Sequence, residues 1–491
     1  MNGLSFRSKW KINAKSIIFY FQAALALFLV LSIYIWYFKT SVSSGNNDYY
    51  SQLARSFKRG LLSLQEKPGA ALLALDNPYD YQSRKGIDFP WDASLYDGRF
   101  YLYWGPVPAL LLTVFNDQLL SKIGDRHLTF VFTSGLFVYI FVFSLALWHH
   151  HFQKLPRSMF LLAAVTMGLA LPATWILSTP RIYEASIAGG QFFFIGGCFW
   201  AYTSVVNKTS RTWRLFIASI HWACAIGSRI TLLPAVLFLV VMVLIKVGHD
   251  SRTSIISKGT TAAISALILP IAVGGIGLAW YNWARFGSIL ETGLRYQLTS
   301  TDYINSGSTL FSIENMPGNL YNYFTHAFAT TRIFPYVKPV ENVGTNERMV
   351  GLLFTVPYFL LALISPATLI SQPTEEPEKV EENYPHRSLN WLVLSLIGVT
   401  IINSTLLLSY YFAAMRFLSD VVPSLLLLST VCFWRGYQAI QAGMARASFA
   451  IMIFLLSTIS IISSTLFTIA ISGERLSAIM RTVKSISIMF K

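Results

Sequence analysis

Charged residues are scarce in this chain. Asp, Glu, Lys and Arg make up only 12% of its 491 residues, about half the share usual in soluble domains, whereas 54% are apolar. The mean hydropathy is +0.51. At about 20 apolar residues per membrane helix, the apolar runs predict about 11 spans. The composition therefore excludes a soluble globular protein and indicates an all-α polytopic membrane protein.

Cysteine is also rare, and a signal-peptide cleavage site is missing. Cys198, Cys224 and Cys432 all lie inside apolar runs, which excludes a disulfide framework and a thiolate metal cluster. The first apolar run, residues 17 to 38, is longer than the hydrophobic region of a signal peptide and lacks a small-x-small cleavage site. We therefore predict an uncleaved first span whose basic flank stays in the cytoplasm.

The net charge of +15 is explained by membrane orientation and requires no nucleic-acid partner. With the N-terminus inside, the predicted cytoplasmic segments hold 16 of the 38 Lys and Arg residues, and the short exterior turns hold three. This distribution follows the positive-inside rule. The further spans are predicted at residues 127–148, 158–178, 185–205, 213–228, 230–246, 260–283, 349–370, 389–410, 419–434 and 447–470.

The chain is organised around this membrane domain. Residues 48–64 carry apolar side chains near helical spacing, and we predict an amphipathic helix on the exterior surface. Residues 104–120 are apolar as well, but a span there would turn the later basic loops outward, so they too are predicted as a surface helix. The regions are a basic cytoplasmic head (1–15), a transmembrane domain (16–470) with exterior loops at 39–126 and 284–348, and an amphipathic tail (471–491).

Three arginines stand on the exterior side, against the orientation rule. Arg181, Arg229 and Arg416 each lie within or beside a predicted helix end. A single such arginine can extend to lipid headgroups, whereas three together favour an anionic ligand. The guanidinium group suits phosphate because it forms bidentate, charge-assisted hydrogen bonds and keeps its proton. At the outer membrane edge, the phosphates belong to lipids.

Two exterior acids complete a candidate catalytic set. Asp48 directly follows the first span and is either the N-cap of the next helix or a general base. Glu184 follows Arg181 by three residues and is either a first-turn carboxylate or a cavity residue. A base beside an acceptor hydroxyl and cations beside a departing phosphate would support sugar transfer. With Asp92 and Asp97, these acids are also candidate ligands for Mg²⁺ or Mn²⁺.

Aromatic and polar side chains also recur in both exterior loops. Such residues commonly build sugar-binding surfaces, and they are equally typical of an aromatic belt at the membrane interface. The candidate substrate-binding residues are Tyr96, Asp97, Tyr103, Arg285 and Glu291, together with Arg181, Arg229 and Arg416.

Taken in order, these motifs resemble the GT-C superfamily of membrane glycosyltransferases, in particular bacterial relatives of the protein O-mannosyltransferases and of the lipid A aminoarabinose transferase. Asp48 with Tyr49 matches the early exterior acid, residues 105–111 match the following surface helix, and Arg181 to Glu184 and Arg416 match later motifs. The absence of a large soluble domain disfavours an oligosaccharyltransferase.

The resemblance implies an inverting glycosyltransferase of the bacterial inner membrane. Its donor would be a sugar linked to polyprenyl phosphate, its acceptor a lipid, glycan or protein, and its active site would face the exterior or periplasm. Two other classes stay open from the residues alone: a lipid or solute transporter or flippase, and an O-antigen polymerase or ligase. A transporter would be expected to carry charges in mid-span, and the predicted spans contain almost none.

Overall fold

The computed structural model describes residues 14–41, 48–250, 257–305, 309–342, 347–364, 384–472 and 479. Over these residues the chain is mostly helical, and its short strands form two-stranded antiparallel pairs. Most of the predicted cytoplasmic head and nearly all of the predicted amphipathic tail lie outside the described residues.

The helices follow the chain as α1 (Ala14–Lys39), α2 (Tyr49–Lys58), α3 (Ala70–Leu73), α4 (Val107–Leu112), α5 (Asp117–Leu120), α6 (Asp125–Leu147), α7 (Arg157–Leu169), α8 (Ala173–Ser178), α9 (Ile182–Val206), α10 (Arg211–Ser228), α11 (Leu233–Asp250), α12 (Lys258–Phe286), α13 (Met316–Leu320), α14 (Leu352–Thr355), α15 (Tyr384–Ser409), α16 (Val422–Ala439) and α17 (Met444–Ala470). The strands are β1 (Ser94–Tyr96), β2 (Arg99–Tyr101), β3 (Ala329–Thr330), β4 (Val337–Lys338), β5 (Val340–Glu341) and β6 (Arg348–Met349), paired β1 with β2, β3 with β4 and β5 with β6.

The prediction of a helical membrane protein is confirmed at the level of its long apolar helices, but the count of about 11 spans is not. In the described part of the chain, six helices are long and apolar enough to cross a membrane: Ile17–Lys39, Asp125–Phe152, Ile230–Asp250, Lys258–Phe286, Arg387–Ser409 and Met444–Ala470. The predicted span at 158–178 divides into α7 and α8, because Pro172 between them has no N–H to continue a helix. The predicted span at 349–370 begins as α14 and the 3-10 segment Pro357–Ile364.

Helix α9 lies at the centre of the bundle. Of its 25 residues, 19 are buried, and it packs against α6 and α10. A side chain at Gly197 would collide with Trp222 of α10, so the glycines of α9 permit close helix contact.

The described part of the first predicted exterior loop, residues 39–126, folds into short elements. Helix α2 packs against α4 and α5, whose six and four residues are too few to cross a bilayer. Strands β1 and β2 form a hairpin whose turn residues, Asp97 and Gly98, both have positive φ. Such backbone angles match the twist of two-residue hairpin turns.

Segments predicted to lie on the same side of the membrane contact one another. Arg211 is paired with Asp250 at 2.6 Å, and the Gln438 amide donates to the His151 carbonyl at 3.3 Å. All four of these residues lie in segments predicted to be cytoplasmic. Several of the predicted exterior segments meet around a cavity.

Candidate active site

The cavity has a volume of about 790 Å³. Its wall combines the segments flanking the β1–β2 hairpin, the start of α9, the turn between α10 and α11, the end of α12 and the segment between α15 and α16. These segments are far apart in sequence, and each was predicted to be an exterior loop or turn, or the exterior end of a span. A cavity of this size is in the range of small-molecule sites.

Arg229 lies in this cavity and is paired with Asp420. Its Nη2 is 2.6 Å from Oδ2 of Asp420, and its Nε donates to the two carboxylate oxygens at 2.7 and 2.9 Å. Gln191 of α9 also donates to Asp420, at 3.4 Å. The ion pair therefore joins the α10–α11 turn to the 3-10 turn that precedes α16.

Arg416 lies in the same cavity, between aromatic rings. Its Nη1 donates to Oε1 of Glu347 at 2.7 Å, and its guanidinium carbon is 4.9 Å and 5.1 Å from the ring centres of Tyr183 and Phe417. Its Nε is buried and has no hydrogen-bond partner among the residues that the structure describes. One donor of this arginine thus remains for a ligand.

Arg285 also lines the cavity, but its donors bind the protein. Nη1 donates to the Leu102 carbonyl at 2.6 Å, Nη2 to Asn282 at 2.9 Å and Nε to the Tyr281 carbonyl at 3.2 Å. The guanidinium also stacks on the Tyr281 ring at 3.7 Å. This arginine ties the end of α12 to the segment after β2.

Asp92 is a buried carboxylate in the cavity wall, with 4% of its surface exposed. Its φ is +64°, a left-handed value that Asp tolerates better than most residues. The Thr299 hydroxyl hydrogen-bonds its side chain, and Arg416, Arg181 and Arg84 act on it electrostatically. Burial nevertheless raises the pKa of Asp92 to about 6, because removal from water disfavours the charged form.

Asp48 lies at the junction of α2 and α6 and is not among the residues that line the cavity. Its Oδ1 accepts a hydrogen bond from the Asp125 backbone N–H at 3.2 Å. The Asp125 carboxylate in turn accepts the backbone N–H groups of Tyr49 and Tyr50, both at 3.1 Å. Asp48 therefore caps a helix, as one of the two interpretations of its sequence context predicts, but the helix is α6 rather than α2.

Glu184 and Arg181 form the start of α9. Oε2 of Glu184 accepts the Arg181 backbone N–H at 3.0 Å, and Glu184 is buried whereas Arg181 is exposed. Electrostatic interactions link Glu184 with Arg416 and with Asp125. The acids Asp48, Asp125 and Glu184 thus lie close together, and none of them is among the residues that line the cavity.

The aromatic and polar candidates divide into two groups. Tyr103 lines the cavity, and burial raises the pKa of its hydroxyl. Tyr96 packs on Tyr296 outside the cavity lining, and Asp97 is exposed at the hairpin turn. Glu291 pairs with Arg295 at 2.6 Å and is likewise absent from the lining. Of these four candidates, only Tyr103 lines the cavity.

The predicted Mg²⁺ or Mn²⁺ site is not assembled by the described residues. Among them, no group of three His, Cys, Asp or Glu side chains is arranged to hold a metal ion. Asp48 and Glu184 each accept a backbone N–H at a helix start, and Asp97 lies on an exposed turn. These carboxylates do not fit a shared metal site.

Sequence reasoning missed Asp125, Asp420 and Glu347 as site residues. Asp420 follows Arg416 by four residues, yet it is paired with Arg229 from the turn between α10 and α11. Asp125 begins an apolar helix. Its position at the boundary of the span predicted at 127–148 was its only signal in the sequence. Glu347 carried no signal in sequence.

No protein-family model and no curated protein matches the chain. Among solved structures, it is similar to the oligosaccharyltransferase of Archaeoglobus fulgidus in its apo form, with 12% identity and a TM-score of 0.47 over 94% of this chain and 56% of that one. It is also similar to the archaeal oligosaccharyltransferase AglB from Archaeoglobus fulgidus in complex with an inhibitory peptide and a dolichol-phosphate, with 13% identity and a TM-score of 0.45 over 92% of this chain and 56% of that one. The chain thus spans little more than half the length of either structure. Both structures are oligosaccharyltransferases.

Proposed function

We propose that the protein is a glycosyltransferase that moves a sugar from a polyprenyl-phosphate-linked donor to an acceptor at the exterior face of the membrane. The observation that carries this proposal is the single cavity in which three arginines, three carboxylates and several aromatic rings converge. Arginines suit a lipid phosphate, and aromatic rings with carboxylates suit a sugar.

The donor phosphate is assigned to Arg416 and Arg229. Nε of Arg416 has no partner among the described residues, and a phosphate oxygen would satisfy it. The counter-ions Glu347 and Asp420 keep both guanidinium groups in place before the donor binds. As the bond to the sugar breaks, charge grows on the phosphate oxygen, and the fixed cations stabilise it.

The apolar chain of the donor would enter from the membrane. Ile230, Leu278 and Leu406 line the cavity, and the Ile230 side chain is 44% exposed. These apolar side chains would contact the hydrocarbon tail of a ligand whose phosphate head lies at the arginines.

Asp48 is the proposed base. The acceptor hydroxyl oxygen attacks the anomeric carbon, the bond from that carbon to the phosphate oxygen breaks with its electron pair, and the hydroxyl proton passes to Asp48. Glu184 lies next to it in the same acidic group and is proposed to hold the start of α9, and with it Tyr183, against Arg416.

Transfer from defined donors tests the proposal. The protein, reconstituted in lipid vesicles, is given radiolabelled sugars on undecaprenyl phosphate together with extracted envelope lipids and glycans. We expect a covalent product from wild type, a raised KM for the donor in Arg416→Gln, and no change in Arg99→Gln, whose side chain is exposed on β2. Arg416→Gln with an unchanged donor KM would remove the phosphate assignment.

The same vesicles separate the two alternatives. Counterflow of labelled lipid without any covalent product would establish a transporter or flippase. A product that carries a chain of sugars, instead of one sugar for each acceptor, would establish a polymerase or ligase.

A further inference from the structure

The cavity holds three carboxylates, and one of them differs from the others. Glu347 is paired with Arg416, and Asp420 is paired with Arg229. Asp92 forms no ion pair within 4.0 Å among the residues that the structure describes. A buried carboxylate of this kind gains more from a hydrogen-bonding ligand than one that already has a counter-ion.

The surroundings of Asp92 are aromatic and hydroxyl-rich. Tyr103, Tyr303 and Tyr411 all line the cavity and interact electrostatically with its carboxylate. The hydroxyl groups of Tyr303 and Tyr411 are hydrogen-bonded to each other. Aromatic faces beside a carboxylate offer an apolar surface for the C–H side of a sugar ring and an acceptor for its hydroxyl groups.

The backbone around Asp92 is held firmly. Its N–H donates to the Leu298 carbonyl at 3.0 Å, and the Leu298 N–H donates to the Ala93 carbonyl at 2.8 Å. The next residue, Thr299, is held by the buried Arg84, whose Nη2 donates to its carbonyl at 2.5 Å. Such support fixes the direction of a left-handed residue, as a recognition group requires.

We propose that Asp92 is a specificity-determining residue that binds the hydroxyl groups of the donor sugar, with the rings of Tyr103, Tyr303 and Tyr411 forming the rest of the sugar subsite. This inference rests on the proposed function, since it assigns the sugar end of the donor whose phosphate end lies at Arg416. It also separates Asp92 from Asp48: Asp92 holds the sugar, and Asp48 takes the proton.

Binding measured without catalysis tests the subsite. The probes are undecaprenyl phosphate and undecaprenyl phosphate carrying glucose, galactose, mannose or N-acetylglucosamine, each titrated against the full-length protein in detergent. In wild type, at least one sugar-bearing lipid should bind about tenfold more tightly than the bare lipid phosphate, the magnitude of a charge-assisted hydrogen bond. Asp92→Asn should abolish this advantage and leave the affinity for the bare lipid phosphate unchanged.

Asp97→Asn is the matched control, because Asp97 also has a positive φ but lies on the exposed hairpin turn. It should keep the full advantage of the sugar. An Asp92→Asn protein that keeps the advantage would overturn the subsite while leaving the proposed function standing, and so would a wild-type protein that binds every lipid phosphate equally. Failure of wild type to bind any of the lipid phosphates would overturn the proposed function itself.

Discussion

Asp48 and Asp125 cap each other's helices. The Asp48 carboxylate accepts the N–H of Asp125 at the start of α6, and the Asp125 carboxylate accepts the N–H groups of Tyr49 and Tyr50 at the start of α2. The first N–H groups of a helix have no partner within the helix, so each carboxylate satisfies donors that would otherwise be buried and unpaired. The exchange fixes the start of α2 against the start of α6.

This double role of Asp48 allows its structural and chemical contributions to be separated. Asp48→Asn keeps a side-chain oxygen for the Asp125 N–H, whereas Asp48→Ala removes it. We expect Asp48→Ala to lower the free energy of unfolding by about 1 kcal/mol and Asp48→Asn to change it little, since Asn is as good a cap as Asp. Thermal unfolding in detergent measures both.

Asp48→Asn should impair sugar transfer even though it changes stability little. An amide cannot accept the acceptor proton, so Asp48→Asn should reduce kcat about 100-fold or more despite its stable fold. Wild-type turnover in Asp48→Asn would show that Asp48 is a helix cap and no more.

Gly124 is the residue that lets Asp48 approach α6. A Cβ at position 124 would overlap the Asp48 carboxylate. Gly124→Ala should therefore lower stability by about 1–3 kcal/mol, as overpacking does, and push Asp48 away from its hydrogen bond. Gly69→Ala is the control, because a Cβ there meets nothing within 4 Å. Equal unfolding temperatures for the two variants would contradict this account.

Local sequence patterns predicted the long helices and part of the candidate site. Contacts between distant segments determined the rest of the site. The apolar runs predicted the long helices. The predicted exterior placement of Arg229 and Arg416 identified two residues that line the cavity. The break at Pro172 was visible in sequence, yet the apolar run around it concealed the division into α7 and α8.

Pairing across the fold could not be predicted in the same way. Arg229 meets Asp420 across 191 positions of sequence, and Asp48 meets Asp125 across 77. Neither contact has a periodicity that a single sequence reveals. Asp92 and Asp97 are both acids in the same predicted exterior loop. Asp92 precedes β1 and lines the cavity, whereas Asp97 lies on the exposed turn between β1 and β2.

We expect a large coupling free energy between Arg229 and Asp420. The side chains are 16% and 12% exposed, so loss of one partner leaves the other charge largely desolvated. Asp420→Asn should lower stability by about 3–5 kcal/mol, the usual cost of breaking a buried pair from one side. Arg229→Gln combined with Asp420→Asn should recover part of this loss, because no uncompensated charge remains.

A double-mutant cycle from thermal unfolding gives the coupling free energy, which we expect between about 1 and 3 kcal/mol. Lys58 and Asp117, an exposed pair at 2.7 Å, provide the comparison. Their coupling should be below about 1 kcal/mol. Similar coupling in both pairs would mean that burial does not distinguish them.

The pKa of Asp92 predicts how stability varies with pH. Burial raises this pKa from 3.8 to about 6. Between these values the unfolded chain has already lost the proton that the folded protein keeps, so the folded protein binds more protons and its stability falls as the pH rises. This contribution of Asp92 to the free energy of unfolding is lost as the pH rises to about 6, and it changes little at higher pH. Two pKa units correspond to about 3 kcal/mol.

Asp92→Asn removes this dependence, since its amide does not titrate. The unfolding temperature of Asp92→Asn minus that of wild type should therefore increase from pH 4 to pH 6 and then stay level. Thr299 and the arginines at positions 84, 181 and 416 face Asp92 and limit the rise of its pKa. All of them remain in the variant. Parallel pH curves for the two proteins would show that Asp92 is as well solvated in the folded state as in the unfolded chain.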